Sequence, residues 1–260
     1  MKHDAKPIVK PNEVSTFFGR RLVRLLQISK GACVLDVGTG RGASLIPAAI
    51  SIGPQGSAFG IDISEDNIDF TTRKIEELKL ANVKVMSMNG LSMSFDSDAF
   101  DFILGGFVIT DLHDQDSGLS DIRRVLKPGG QVGFYSWAYA EDAELMARIL
   151  REYEGMSVSG ADSIIFDQET EESMTQMLND AKFKDIKVLT EHISLEFGDE
   201  EEWWQEMWDI GWRRHMKEIE NKGPDQFKRF KEHSFDVLQS YRDGDTYRFA
   251  ESVVFGFGTK

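Results

Sequence analysis

Hydrophobic and polar positions along this chain switch between two periods, and the switches mark its elements. Short apolar, β-branched runs of the kind a sheet buries on both faces stand at residues 33–37, 57–63, 82–87, 99–104 and 131–136. Between them lie stretches with helical spacing: 43–52, then 65–80 behind Ser64 as an N-cap, then a segment through 121–126. Strands alternating with helices predict an α/β fold with a largely parallel sheet. Before the first strand, 12–28 reads as an amphipathic helix with Phe17, Phe18, Leu22, Leu25 and Leu26 on or near one side. After the fifth strand come helical 141–154 and 170–181, a long alternating strand at 183–197 and a final strand at 247–258. Residues 199–245 are too long for a hairpin turn and carry a helical pattern. There Trp204, Trp208 and Trp212 recur every four residues, which predicts three indoles on one helical face, with Trp203 beside them. Asp199 to Glu202 form the acidic first turn of that helix.

The first strand ends in Val34-Leu35-Asp36-Val37-Gly38-Thr39-Gly40-Arg41-Gly42. Glycines at a strand-to-helix turn let the backbone take positive φ and let a ligand approach the main chain, and the following helix points its amides at that ligand. Gly38-x-Gly40-x-x-Ala43 also satisfies the dinucleotide fingerprint, with Asp62 near the distance expected of a ribose-binding acid. Asp36 separates the two readings, because a dinucleotide strand usually runs apolar up to its first glycine. The whole run resembles the first motif of class I S-adenosylmethionine-dependent methyltransferases, of the small-molecule type that includes ubiquinone and menaquinone C-methyltransferases. The likeness continues through the strand ending at Asp62, through Phe-Asp-Phe-Ile-Leu before Gly105-Gly106, and through Arg-Val-Leu-Lys-Pro-Gly-Gly before the fifth strand.

That resemblance implies a Rossmann-like, doubly wound sheet of about seven strands with an antiparallel last strand and helical cap elements. It assigns S-adenosyl-L-methionine as cofactor, held by Asp36, Gly38, Thr39 and Gly40 at its methionine end. Asp62 then accepts from the ribose hydroxyls, Ile63 packs on the adenine, Asn89-Gly90-Leu91 reads the adenine edge, and the main chain at Gly105 faces the amino group and sulfonium. Asn89 stands where an acid is usual; its amide oxygen can still accept from the adenine amino group. The implied arrangement is one methyltransferase domain over 1–260: an N-terminal lid helix (1–30), the cofactor core (31–140), helices and the sixth strand (141–198), a helical substrate-cap insertion (199–245) and the last strand (246–260).

Composition narrows the acceptor. A net charge of −14 over 260 residues argues against a nucleic-acid substrate, so a small-molecule acceptor is expected, in a monomer or homodimer. Cys33 is the single cysteine, and no apolar run reaches membrane-span length, which points to a cytoplasmic protein. Met86, Met88 and Met93 read as core and pocket filler, and no metal is expected. Candidate acceptor-pocket residues are Phe17, Phe18, Phe107, Trp137, Tyr139, Trp204 and Trp208; Tyr135, Trp137 and Tyr139 share a strand, with at most one face of them inward. Within Asp111, His113 and Asp114, His113 is the candidate general base. The competing readings are an NAD-dependent oxidoreductase and a non-catalytic subunit that binds the cofactor.

Overall fold

The computed structural model describes residues 6–109, 116–153, 169–209 and 212–260. Its strands are β1 (Ile8–Val9), β2 (Cys33–Val37), β3 (Ser57–Asp62), β4 (Val83–Ser87), β5 (Phe100–Gly106), β6 (Leu126–Ala140), β7 (Lys184–Phe197), β8 (Arg242–Asp243) and β9 (Thr246–Thr259). Its helices are α1 (Val14–Leu26), α2 (Leu45–Ile52), α3 (Glu65–Glu77), α4 (Asp116–Val125), α5 (Glu141–Glu152), α6 (Glu171–Asp180), α7 (Glu200–Asp209), α8 (Arg213–Glu220) and α9 (Pro224–Leu238). The strands form one sheet in the order β1-β7-β9-β6-β5-β2-β3-β4, with β8 on β9. The seven expected strands are there; β1 and β8 are two-residue additions too short to announce themselves by pattern. β2 pairs parallel with β3 and β5, β3 with β4, and β5 with β6. The last strand is antiparallel: Lys260 exchanges amide hydrogen bonds with Gly129 and Gly130, near the start of β6.

The predicted turn at Lys127-Pro128-Gly129-Gly130 lies inside β6. Phe100 pairs with Leu126, yet Phe102 pairs with Gln131, so the extra residues bulge out of the ladder, with Gly129 at φ 77°.

The chain clusters into two compact units. One holds residues 14–137, 169–191 and 253–260; the other holds the first 13 residues, 138–168 and 192–252. In the first, α1 and α2 pack together, and Leu22, Val34, Leu35, Leu45, Ile61, Ile103 and Leu104 are fully buried. Each such side chain contributes about 1.5–3 kcal/mol by leaving water. In the second unit, Trp204 lies against Phe227, Phe230 and Phe235 of α9, at centroid distances of 5.8, 5.7 and 5.9 Å. The three-indole stripe is not on one helix. α7 ends at Asp209, and Trp212 is the N-cap residue of α8, so a new helix axis begins between the second and third indoles.

Candidate cofactor and acceptor site

The site elements described first lie in the larger unit, at the carboxyl ends of β2, β3 and β5. Gly38, Gly40 and Gly42 sit at φ 65°, 52° and 81°, a conformation that a side chain would strain. A Cβ built on Gly38 would meet Val108 Cγ2 at 2.7 Å, whereas one on Gly40 would find nothing nearer than the Gly38 carbonyl oxygen at 4.0 Å. The loop is thus closed on one side and open on the other.

Asp36 is 1% exposed. Its carboxyl accepts from the Thr39 hydroxyl at 2.8 Å and from the Leu45 amide, tying the strand end to the first turn of α2. Burial pushes its pKa up to about 7; the bonds from Thr39 and Leu45 oppose the rise and the nearby Asp62 charge adds to it. Asp62 is half-buried and its Oδ2 accepts from the Gly40 amide at 2.8 Å. Its Oδ1 accepts from the Ser64 amide at 2.9 Å and the Asn67 side-chain amide at 3.3 Å. Thr71 completes the brace by donating to the Gly40 carbonyl at 2.8 Å. Among the described residues the partners of both carboxylates are therefore neutral donors, with no cation among them.

Ile63, directly after Asp62, is 75% exposed, the most exposed of the large apolar side chains described. Nearby, the Arg41 guanidinium lies over the Phe70 ring at 4.9 Å. The Asn89 side chain is exposed and its oxygen accepts from the Leu91 amide at 2.9 Å, closing a short Asx turn around Gly90. One lone pair of that oxygen stays available.

At the end of β5, Gly105 and Gly106 run close beneath aromatic rings; a Cβ on Gly105 would stand 2.9 Å from Phe134, and one on Gly106 would overlap the ring and hydroxyl of Tyr135. Phe107 adopts φ 54°, a strained conformation for an aromatic residue, and its amide donates to the Tyr135 carbonyl at 2.8 Å. Its ring stacks on Trp137 at 4.8 Å and 24°. Phe18 joins them, 6.5 Å from Phe107, 6.1 Å from Tyr135 and 6.3 Å from Trp137. Tyr135 and Trp137 both lie on the Phe18 side because residues two apart in a strand share a face.

Phe18 is wholly buried and belongs to the core, while Phe17, Phe107 and Trp137 are half-buried. In the other unit Tyr139 donates to Glu144 at 3.1 Å, Trp204 is 5% exposed against α9, and Trp208 is half-buried beside Phe227 at 6.0 Å. Asp111, His113 and Asp114 lie outside the described residues.

Sequence reasoning missed the support around the loop. Ser44 is buried and its hydroxyl bonds that of Tyr135, whose pKa burial drives well above the tyrosine range. Asn67 and Thr71, on α3, hold the loop from the other side. Their spacing of four marks one helix face, yet nothing local says that this face meets a loop some 30 residues earlier in the chain.

Comparison with known proteins agrees with this architecture. A family model described as the ubiE/COQ5 methyltransferase family matches residues 15–193. The chain is 36% identical over 124 residues to an aklanonic acid methyltransferase from Streptomyces sp. strain C5, covering 48% of this chain and 56% of that protein. It is 29% identical over 184 residues to a demethylmenaquinone methyltransferase from Geobacillus sp. strain WCH70, covering 64% and 76%. Against several demethylmenaquinone methyltransferases from Listeria the match spans about half of their length, 48%. A solved SAM-dependent methyltransferase from Aquifex aeolicus shares the fold, with a TM-score of 0.50 and 22% identity over 69% of this chain and 85% of that one. A match of this extent, on a chain whose glycine loop, strand-end acids and antiparallel last strand are all in place, makes this protein a member of the ubiE/COQ5 methyltransferase family.

Proposed function

We propose that this protein transfers a methyl group from S-adenosyl-L-methionine to a small-molecule acceptor, at an oxygen, nitrogen or carbon atom. The observation that carries this reading is the open side of the Gly38–Gly42 loop, flanked by Asp62 and by an isoleucine left three-quarters exposed. That combination fits an adenosyl group: polar acceptors for ribose hydroxyls, an apolar plate for a base, and free space beside the backbone. When bound, the cofactor supplies an electrophilic methyl on a sulfonium, and the protein contributes position and desolvation. Asp62 accepts from the ribose hydroxyls, Ile63 covers one adenine face, and Asn89 offers its free lone pair to the adenine amino group. Asp36, Thr39 and the glycines shape the methionine end, and the Gly105 main chain borders the methyl-transfer position.

For the acceptor, the stacked pair Phe107 and Trp137 with half-buried Phe17 offers flat apolar surface. The relatives named for aklanonic acid and demethylmenaquinone support a planar polycyclic or quinone-type acceptor. Within the 199–245 insertion, Trp204 is spent on α9 and Trp208 is half-buried beside Phe227. A small-molecule acceptor fits the acidic composition and a cytoplasmic location fits the single cysteine, Cys33; among the described residues no helix is long and apolar enough to cross a membrane.

Calorimetry tests the cofactor assignment. S-adenosylhomocysteine is expected to bind in the micromolar range, roughly −8 kcal/mol. Binding of NAD with no response to either adenosyl compound overturns the assignment. Transfer of labelled methyl to a panel of phenols and quinols then identifies the acceptor class.

A further inference from the structure

Two carboxyl groups brace one loop, and among the described residues every partner they have is neutral. Asp36 is enclosed by the Thr39 hydroxyl, the Leu45 amide and, across Ser44, the Tyr135 hydroxyl; Asp62 is bound by the Gly40 and Ser64 amides and by Asn67. Among the described residues, the titratable groups facing Asp36 are thus Asp62 from β3 and Tyr135 from β6, while the loop, α2 and α3 contribute hydroxyls and amides. The one basic side chain within the loop, Arg41, is exposed and turned onto Phe70.

An uncompensated pair of this kind lowers its energy in one of two ways. One carboxyl keeps a proton, or a positive charge enters the site. Burial makes Asp36 the one that holds the proton, because the exposed side of Asp62 is solvated. Resting on the methyltransferase reading above, the geometry points to Asp36 as the residue through which the loop senses positive charge in its ligand: the buried carboxyl gives its proton to solvent as a cationic ligand enters. The balance is simple. Asp36 goes from carboxylic acid to carboxylate, one proton passes to the buffer, and no covalent bond of the ligand changes. The rise of its pKa to about 7 sets the pH range in which the exchange is visible.

Such a loop discriminates between its own substrate and product. S-adenosylmethionine carries a sulfonium and an ammonium against one carboxylate; S-adenosylhomocysteine has lost the sulfonium charge. Proton release should therefore be larger for the methyl donor. Its binding should also weaken by up to about tenfold per pH unit on the acid side of the transition. The product should respond less, so that the donor-to-product affinity ratio rises with pH.

The test is calorimetric titration of the intact protein with each compound between about pH 5.5 and 8.5, in two buffers of different ionisation enthalpy at each pH. Release of close to one proton per donor molecule near pH 6, fading above pH 8, with less for the product, supports the proposal. The ligand's own α-amino group, with an ordinary pKa of roughly 7.7–8.0, takes up a proton when held as ammonium, so it gives the opposite sign. Asp36→Asn should abolish the release while Asp62→Asn keeps it and moves it to lower pH. Should Asp36→Asn fail to fold, carboxyl-carbon NMR of aspartate-labelled wild-type protein serves instead: besides Asp142, raised to about 6, one further aspartate should titrate near 7 in the free protein and stay ionised with donor bound. Flat affinity across the range, or unchanged proton release in Asp36→Asn, overturns the proposal and leaves the methyltransferase reading standing. Absence of binding by either compound at any pH overturns both.

Discussion

The two units treat their buried polar groups differently. In the larger unit Asp36, Thr39, Ser44, Thr71 and Tyr135 are all bonded to one another or to main chain. The smaller unit, among the described residues, leaves Trp203 Nε1, His215 Nδ1, His233 Nε2 and Glu251 Oε2 without a hydrogen-bond partner, and Arg148 Nε with only a 3.9 Å ion pair to Glu152, against Arg123 Nη1 alone in the larger one. It also buries Asp142 against Glu251, two carboxyls that cannot both ionise cheaply. Polar groups inside the larger unit fix the geometry of a loop. Inside the smaller one they ride on helices held by aromatic packing, as with Trp204 among Phe227, Phe230 and Phe235. Precision in the first depends on hydrogen bonds, and cohesion in the second depends on volume.

Deleting volume should therefore give the largest effect. Trp203→Ala or Trp212→Ala, at fully buried positions, is expected to cost about 3–5 kcal/mol of unfolding free energy by urea titration, with S-adenosylhomocysteine affinity within about twofold of wild type. Loss of cofactor binding with stability intact would mean that these indoles serve the site instead. Deleting a bond in the larger unit should register on binding. Asp62→Ala is expected to weaken S-adenosylhomocysteine binding by about 1.5–3 kcal/mol, and an unchanged dissociation constant would place the ribose elsewhere.

Asn89 sharpens the contrast. Asn89→Leu should cost on the order of 1–3 kcal/mol of binding, since it removes both the Asx turn and the adenine acceptor, while Asn89→Asp keeps both. Equal tolerance of the two would show that the backbone alone reads the adenine.

The pH dependence of stability separates the units by position on the scale. Burial raises the pKa of Asp36 from 3.8 to about 7 and that of Asp142 from 3.8 to about 6. A raised carboxyl pKa means that the folded state holds the proton more tightly than the unfolded chain. Its contribution is fully present below about pH 4 and is lost as pH rises through 6 for Asp142 and through 7 for Asp36. Asp142→Asn should flatten the lower part of that loss in the urea midpoint and leave the part near 7; an unaltered profile would remove Asp142 as its source. The smallest effects belong to one hydroxyl deletion and one indole truncation. Tyr135→Phe breaks a bond to Ser44 and should cost about 1 kcal/mol, whereas Trp203→Phe removes an unpartnered donor and should cost less than the volume lost implies.

The strand-to-helix glycine loop was readable from sequence because its constraints are local: positive φ needs glycine, a strand end needs apolar neighbours, and Asp36 is anomalous within them. The sheet followed for a similar reason, since strands such as Cys33–Val37 declare themselves by burial on both faces. The four-residue repeat of tryptophans misled because periodicity reports spacing and not continuity, and the helix ends between Trp208 and Trp212. Pairing across long separations was not readable at all. Thr71 with Gly40, Ser44 with Tyr135 and Asp142 with Glu251 each need the fold first.

Gly106 and Tyr135 share one volume, since any Cβ at 106 enters the space of the tyrosine ring and hydroxyl. Two positions in that relation do not vary freely in evolution: each is a background that sets the fitness of the other. Gly106→Ala should be severely harmful beside tyrosine and far milder beside a smaller residue at 135, a positive coupling readable in a double-mutant cycle. The ring beneath the site thereby restricts the mutational routes by which this chain reaches a differently shaped pocket. Enlarging the side chain at the end of β5 requires first giving up the tyrosine that anchors Ser44.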